Sequence, residues 1–283
     1  MQLEHQSMTR PHTMRASPGS AAIAALRDHW PEYLIEAWAL GMFMISAAVF
    51  TTLFDFPGSP VHQGIDDGTL RRVLTGIAMG LTAVALIYSP WGQRSGAHMN
   101  PAITLTFLRL GKVRRWDAAF YVVAQFVGGT IGVLLAAAVL RDAFAAPPVN
   151  YAATVPGPAG AWAALGAEFA ISALMAFVVL SVSSNPRSAR FTGLAAGALV
   201  AVFISVEAPL SGMSINPARS FASAAPGAMW SGFWIYMLGP MLGMQLGGLL
   251  HELRVGPRGT PCAKLIHGRL QRCIHCGYEP ASA

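Results

Sequence analysis

The 283-residue chain is 54% hydrophobic and only 11% charged, with a mean hydropathy of +0.48. Soluble domains carry about 25% charged residues, so this composition excludes a disordered chain and a nucleic-acid-binding module and argues against most soluble enzymes. The net charge of +6, from 19 Lys+Arg against 13 Asp+Glu, has to be located before it is interpreted.

Residues 1–32 form a polar, basic arm without the short apolar core and cleavage site of a signal peptide. Six apolar runs follow, at about 33–54, 71–90, 116–140, 161–183, 189–208 and 229–250. Each is near the ~20 residues that cross a bilayer as a helix. They are rich in Gly and Ala, which lets membrane helices approach closely. Burial inside a large soluble protein is the rival explanation, but six such runs leave almost no polar faces for water. The reading is an all-α membrane protein with a channel-type domain over 33–250, in halves of about 33–140 and 161–250. A tail of 251–283 follows.

Two apolar segments are too short to span, NPAITLTFLRL at 100–110 and NPARSFASAAP at 216–226. Each comes after the second span of a three-span half. Inverted-repeat transporters place their broken helices in this way.

The basic residues sort by side. Arg10, Arg15 and Arg27 lie in the arm, and Arg94, Arg109, Lys112, Arg114 and Arg115 lie between spans two and three. Arg187 and Arg190 lie between spans four and five, and Arg254, Arg258, Lys264, Arg269 and Arg272 lie in the tail. Only Arg71, Arg72, Arg141 and Arg219 fall on the other side. The positive-inside rule then predicts a multi-pass protein of the inner cell membrane with both termini cytoplasmic. The charge reports topology, and nucleic acid is not an expected partner.

The two short segments share a motif. Ser95-Gly96-Ala97-His98-Met99-Asn100-Pro101-Ala102 and Ser211-Gly212-Met213-Ser214-Ile215-Asn216-Pro217-Ala218 are both S-G-x-x-x-N-P-A. One Asn-Pro-Ala is weak evidence, because Asn is a common N-cap and Pro is favoured at the first helical position. Two copies at matching places in two halves are strong evidence. Half-helices starting at Asn100 and Asn216 would enter from opposite sides and meet at the midplane. Their dipoles would place positive potential there. The backbone outside the helices would line a protein-walled aqueous path. The Asn amides could cap locally and still donate N–H into that path. A neutral hydrogen-bonding solute finds donors at such a centre, and a cation meets a barrier.

With these residues in view, the sequence resembles the major intrinsic protein family, the aquaporins and aquaglyceroporins. The resemblance covers about 33–250. It rests on both boxes, on Arg219 after the second, and on a Glu in the first span of each half. It implies six spans plus two re-entrant half-helices in an inverted repeat. It also implies a homotetramer and passive permeation without a cofactor. Arg219 is then the filter arginine, a fixed charge with five donors. Glu36 and Glu168 would accept hydrogen bonds from the re-entrant loops. The competing reading makes them proton- or cation-coupling sites. His98 would pack the first loop at the cytoplasmic vestibule, with a pH gate as the other reading.

The resemblance places the rest of the filter at Ile204, Met213 and a second-span residue. An ungapped alignment gives Gly80, and one extra residue in SPWGQRSG gives Met79. Water-selective members carry His where this chain has Ile204, so larger neutral permeants such as glycerol or hydrogen peroxide come into range. Ser220 points the other way, because glycerol-conducting members carry Asp there. Tyr236 keeps a water-type aromatic, while Met237 replaces the expected Trp. The expected function is a passive channel for water and small neutral solutes. The alternatives are a glycerol-type facilitator and an ion-coupled secondary transporter. No arrangement of catalytic residues is evident, so no enzymatic activity is expected.

All three cysteines, Cys262, Cys273 and Cys276, lie in the tail, with His267 and His275 nearby. Cys262, His267, Cys273 and Cys276 form a candidate set for tetrahedral zinc, which could order a tail too short for its own core. A Cys-x-x-Cys redox pair and a basic tail with unengaged thiols are the other readings.

Overall fold

A computed structural model describes residues 18–256, 259–268 and 271–279. Among the described residues there are helices and turns but no strands. The helices are α1 (Pro18–Asp55), α2 (Pro60–Gly64), α3 (Gly68–Tyr88), α4 (Pro90–Ser95), α5 (Pro101–Arg109) and α6 (Arg115–Leu140). They continue as α7 (Asp142–Ala145), α8 (Ala161–Ser183), α9 (Thr192–Val206), α10 (Ala208–Ser211), α11 (Pro217–Gly227) and α12 (Phe233–Val255). Among the described residues six spans are long and apolar enough to cross a membrane: α1, α3, α6, α8, α12, and α9 together with the turn before it (Ala189–Val206). The predicted spans map onto these six, and the two short segments become α5 and α11.

The boundaries follow local chemistry. Asp67 caps α3 by accepting from the Thr69 and Leu70 N–H groups. Asn100 and Asn216 cap α5 and α11, each with Pro at the first position, where its missing N–H costs nothing. The first span departs most from expectation. It begins at Pro18, so residues 18–32 of the supposed arm are helical. Polar ties that hydropathy does not register hold this extension. Tyr33 Oη donates to Asp117 Oδ1 at 2.7 Å, and His29 Nδ1 meets the same oxygen at 2.7 Å. Buried Glu32 receives Arg94 and Arg272. At the other end α12 runs on to Val255, so the tail begins later than expected. Arg10, Arg15, Arg258 and Arg269 lie outside the described residues.

The long helices pack as α1 on α6, α8 on α12 and α3 on α9. Both half-helices lie against α6 and α12. Leu40, Met44, Phe107, Leu180, Phe203 and Met244 belong to one core around these elements. Val139, Trp162, Val206 and Leu253 are exposed on the outside. An outward apolar surface suits lipid and would be unfavourable in water.

Candidate functional site

The two boxes build the same loop twice. In each, the glycine and two later residues take left-handed backbone conformations: Gly96, Ala97 and Met99 in the first, Gly212, Met213 and Ile215 in the second. Such alternation turns successive N–H groups toward one point, which a carboxylate fills. Glu36 Oε1 accepts from Ser95 Oγ at 2.7 Å and His98 N at 3.0 Å, and Oε2 accepts from Met99 N at 2.7 Å and Gln125 Nε2 at 2.8 Å. Glu168 Oε1 accepts from Ser211 Oγ at 2.7 Å and Ser214 N at 2.6 Å, and Oε2 accepts from Ile215 N at 2.8 Å. Tyr121 Oη donates to Ser95 O, and Tyr236 Oη donates to Ser211 O. The inverted repeat thus extends to individual hydrogen bonds. Both carboxylates are fully buried.

The half-helices meet through their caps. Asn100 Oδ1 accepts from Ala102 N at 2.9 Å, and Asn216 Oδ1 accepts from Ala218 N at 3.1 Å and Arg219 N at 3.3 Å. Asn100 Nδ2 donates to Ile215 O, and Asn216 Nδ2 donates to Met99 O, both at 2.7 Å. Each amide therefore caps its own helix and ties itself to the opposite loop. An amide nitrogen carries two hydrogens; the second of Asn100 meets Met244 Sδ at 3.9 Å, a weak acceptor, and Asn216 Nδ2 keeps a second donor. Pro101, Ala102, Pro217 and Ala218 are buried behind the caps.

A cavity of about 490 Å³ runs past both Asn residues. Asp55, Gly68 and Arg72 line one end, and Ala97, His98 and Leu265 the other. Met79, Ile204, Met213 and Arg219 all line it, together with Phe43. Arg219 Nη1 is buried and has no protein partner among the described residues. Gly80 does not line the cavity. A Cβ on Gly80 would stand 2.5 Å from Gly197 O, so this glycine serves the close approach of α3 and α9. Of the two second-span candidates, Met79 is the one in the cavity. Ser220 bonds Thr154 and Ser214 and is packed into its loop. Phe43 escaped the sequence reading, although it lies seven residues after Glu36 and hence near the same helix face.

The tail is folded onto the channel. His98 is buried, with Nδ1 against Thr104 Oγ1 at 3.1 Å and Nε2 against Ala263 O at 2.8 Å. Leu265 N donates to Gly96 O at 3.2 Å. His275 stacks on His98 with ring centroids 5.7 Å apart, and burial pulls its imidazole down to about 3. Cys262, His267, Cys273 and Cys276 converge, with one ligand atom from each lying within 4.8 Å of the others. The bond from Cys262 does most to hold the Cys273 thiol below its ordinary value, and the backbone of Cys276 and His275 adds to it. These four side chains form a Cys/His group able to hold a metal. No local sequence signal placed Leu265 in the cavity.

Comparison with known proteins agrees with this geometry. Residues 28–251 match the family described as Major intrinsic protein. The chain is 33% identical over 240 residues to Aquaporin NIP2-3 of Zea mays, covering 82% of this chain and 77% of that one. It is 32% identical over 226 residues to Aquaporin NIP2-1 of Oryza sativa subsp. japonica, covering 79% and 72%. The X-ray structure of the aquaglyceroporin from Plasmodium falciparum superposes with a TM-score of 0.65 at 17% identity, covering 81% of this chain and 98% of that one, and this likeness concerns the fold. The chain belongs to the major intrinsic protein family.

Proposed function

We propose that this protein is a passive transmembrane channel for water and small neutral solutes, with glycerol and hydrogen peroxide as slower permeants. One observation carries the reading. Two helix N-termini meet at the cavity, and their Asn caps are fixed by reciprocal bonds to the opposite loops. Helix dipoles there disfavour cations, while amide N–H can donate to a neutral solute. The selectivity ring in this reading is Met79, Ile204, Met213 and Arg219, apolar on three sides with one fixed charge.

The ion-coupled transporter finds no support at the acids it needs. Glu36 and Glu168 do not line the cavity, and all four of their oxygens accept bonds from the protein. They act as loop anchors. His98 is a loop-packing residue whose two ring nitrogens are engaged. The reading further includes a homotetramer in the lipid bilayer, the inner cell membrane as its location, and both termini in the cytoplasm. It also includes zinc(II) as the ion of the tail group, because three thiolates and an imidazole are its usual tetrahedral set. Transport itself needs no cofactor in this scheme.

The test is stopped-flow light scattering of proteoliposomes. In a sucrose gradient they should shrink much faster than empty liposomes, and in a glycerol gradient re-swelling should follow more slowly. Shrinkage no faster than in empty liposomes, both before and after treatment with a metal chelator, overturns the channel reading. Glycerol re-swelling as fast as the water phase identifies the glycerol-type facilitator instead.

A further inference from the structure

The metal-type group and the cavity share one stretch of chain. Cys262 and His267 are two of the four converging residues, and residues 263–266 between them enter the tail-side mouth. Leu265 lines the cavity there. Its N–H takes the Gly96 carbonyl, and the Ala263 carbonyl takes His98 Nε2. Gly96 and His98 belong to the non-helical loop that leads into Asn100. Polar backbone in such a loop is normally satisfied by the solute path it lines. Here the tail satisfies it instead. Gly96 permits this contact, because a Cβ at that position would stand 3.3 Å from the Lys264 backbone. One residue in each of the other two intervals also touches the channel. Arg272 reaches Glu32, and His275 reaches Ser95 O at 3.2 Å.

The described part of residues 256–279 contains no helix or strand. A segment this short does not build a core of its own and needs a staple. Two staples fit the thiols, a disulfide and a metal. A disulfide would join two sulfurs at about 2.05 Å and leave the other two residues without a reason to converge. The four ligand atoms instead gather about one point. Tetrahedral zinc with bonds of about 2.3 Å sets ligand–ligand distances of roughly 3.8 Å. Cys262 Sγ lies 3.4 Å from Cys273 Sγ, and His267 Nε2 lies 3.2 Å from Cys276 Sγ.

Resting on the channel reading above, we infer that zinc(II) held by Cys262, His267, Cys273 and Cys276 fastens the tail across the mouth as a cap, and that loss of the metal opens the channel. On binding, each thiol that ligates releases its proton to solvent, and no electron is transferred. The imidazole binds neutral. With the metal in place, the 263–266 loop keeps Leu265 in the cavity. Without it, the loop has no staple, and the Gly96 carbonyl and His98 return to the solute path.

The experiment uses the full-length chain, purified under reducing conditions. Zinc content is measured first, and one ion per chain is expected. Stopped-flow water permeability is then compared in zinc-loaded proteoliposomes, in proteoliposomes stripped with a membrane-permeant chelator, and after zinc is restored. Stripping should raise permeability several-fold, and zinc should reverse the rise. The double variant Cys273→Ser/Cys276→Ser should bind no zinc and stay at the high level whatever the metal. Leu265→Ala should still bind one zinc and lose most of the response, which separates the cap from a general effect of metal on folding. Absence of stoichiometric zinc, or a Cys262–Cys273 disulfide in the reduced preparation, overturns the proposal. So does equal permeability with and without the ion in a protein that binds it. If neither state exceeds empty liposomes, the channel reading has failed and the cap fails with it. A permeable protein indifferent to bound zinc removes the cap alone.

Discussion

Glu168 receives one hydroxyl and two backbone N–H groups, all from buried residues. A Gln at this position presents an NH2 where an oxygen is needed. At least one buried N–H then loses its acceptor, at a cost of about 1–3 kcal/mol. Glu168→Gln should therefore lower the thermal midpoint of the detergent-solubilised protein, and Glu36→Gln should do the same on the other loop. Unchanged midpoints together with lost solute flux would return these acids to a transport role. Arg219 poses the complementary case, a charge that lines the cavity with one buried nitrogen unpartnered among the described residues. Arg219→Val should raise proton and cation leak about tenfold, the change produced by lowering a barrier by about 1.4 kcal/mol. Dye-reported leak in liposomes measures it, and an unchanged leak would show that the charge barrier lies elsewhere. The Asn pair and Arg219 were legible in the sequence because a doubled motif fixes their register. Met79 against Gly80 was not. The segment Pro90–Ser95 forms a short helix, α4, and one residue more or less there would shift an ungapped alignment by one, enough to exchange a cavity side chain for a helix contact.

Helix pairs in this fold approach backbone to backbone. A Cβ on Gly128 of α6 would fall inside the Ala37 carbonyl of α1, and one on Gly243 of α12 would collide with Phe169 O of α8. Lipid supplies no hydrophobic drive between helices, so this close packing is a main source of their association. Gly128→Ala should force α1 and α6 apart and cost about 1–3 kcal/mol. Gly166→Ala is the matched control, since Gly166 lies in α8 with nothing within 4 Å of its Cβ position. Helix propensity alone should make it neutral or stabilising by up to about 1 kcal/mol. Thermal unfolding of the two variants side by side checks this, and equal effects would mean that the α1–α6 contact yields without cost. The spans themselves were legible from hydropathy, because each is long and continuous. The extension of α1 back to Pro18 was not. Its stability comes from Asp117, Arg94 and Arg272, which lie between 62 and 244 residues away along the chain from the residues they bind.

At the scale of the whole molecule the sequence carried two messages of different range. The inverted repeat was visible because each half states it separately, in local words. The docking of the tail was not, because it joins Ala263 and Leu265 to Gly96 and His98, with 165 residues separating Ala263 from His98. Composition could bring four metal-type ligands into one window, but it could not say which surface they would close. The docked tail also fixes a relation that the charge pattern only predicts. It packs beside Glu32 near the start of α1, on the same side as Arg94, while Asp55 at the far end of α1 lines the opposite mouth of the cavity. If the fifteen basic residues mark the cytoplasm, the capped mouth faces inward, and a cytosolic zinc level rather than an external one would set permeability. Cys276 is exposed and all three cysteines are in the tail, so a thiol reagent can read the side directly. In the variant Cys262→Ser/Cys273→Ser, Cys276 should resist a membrane-impermeant maleimide added to intact cells and react once the membrane is permeabilised or inverted vesicles are used. Labelling of intact cells would reverse the topology and place the cap outside. The cap could survive that result, but the positive-inside assignment of this chain could not.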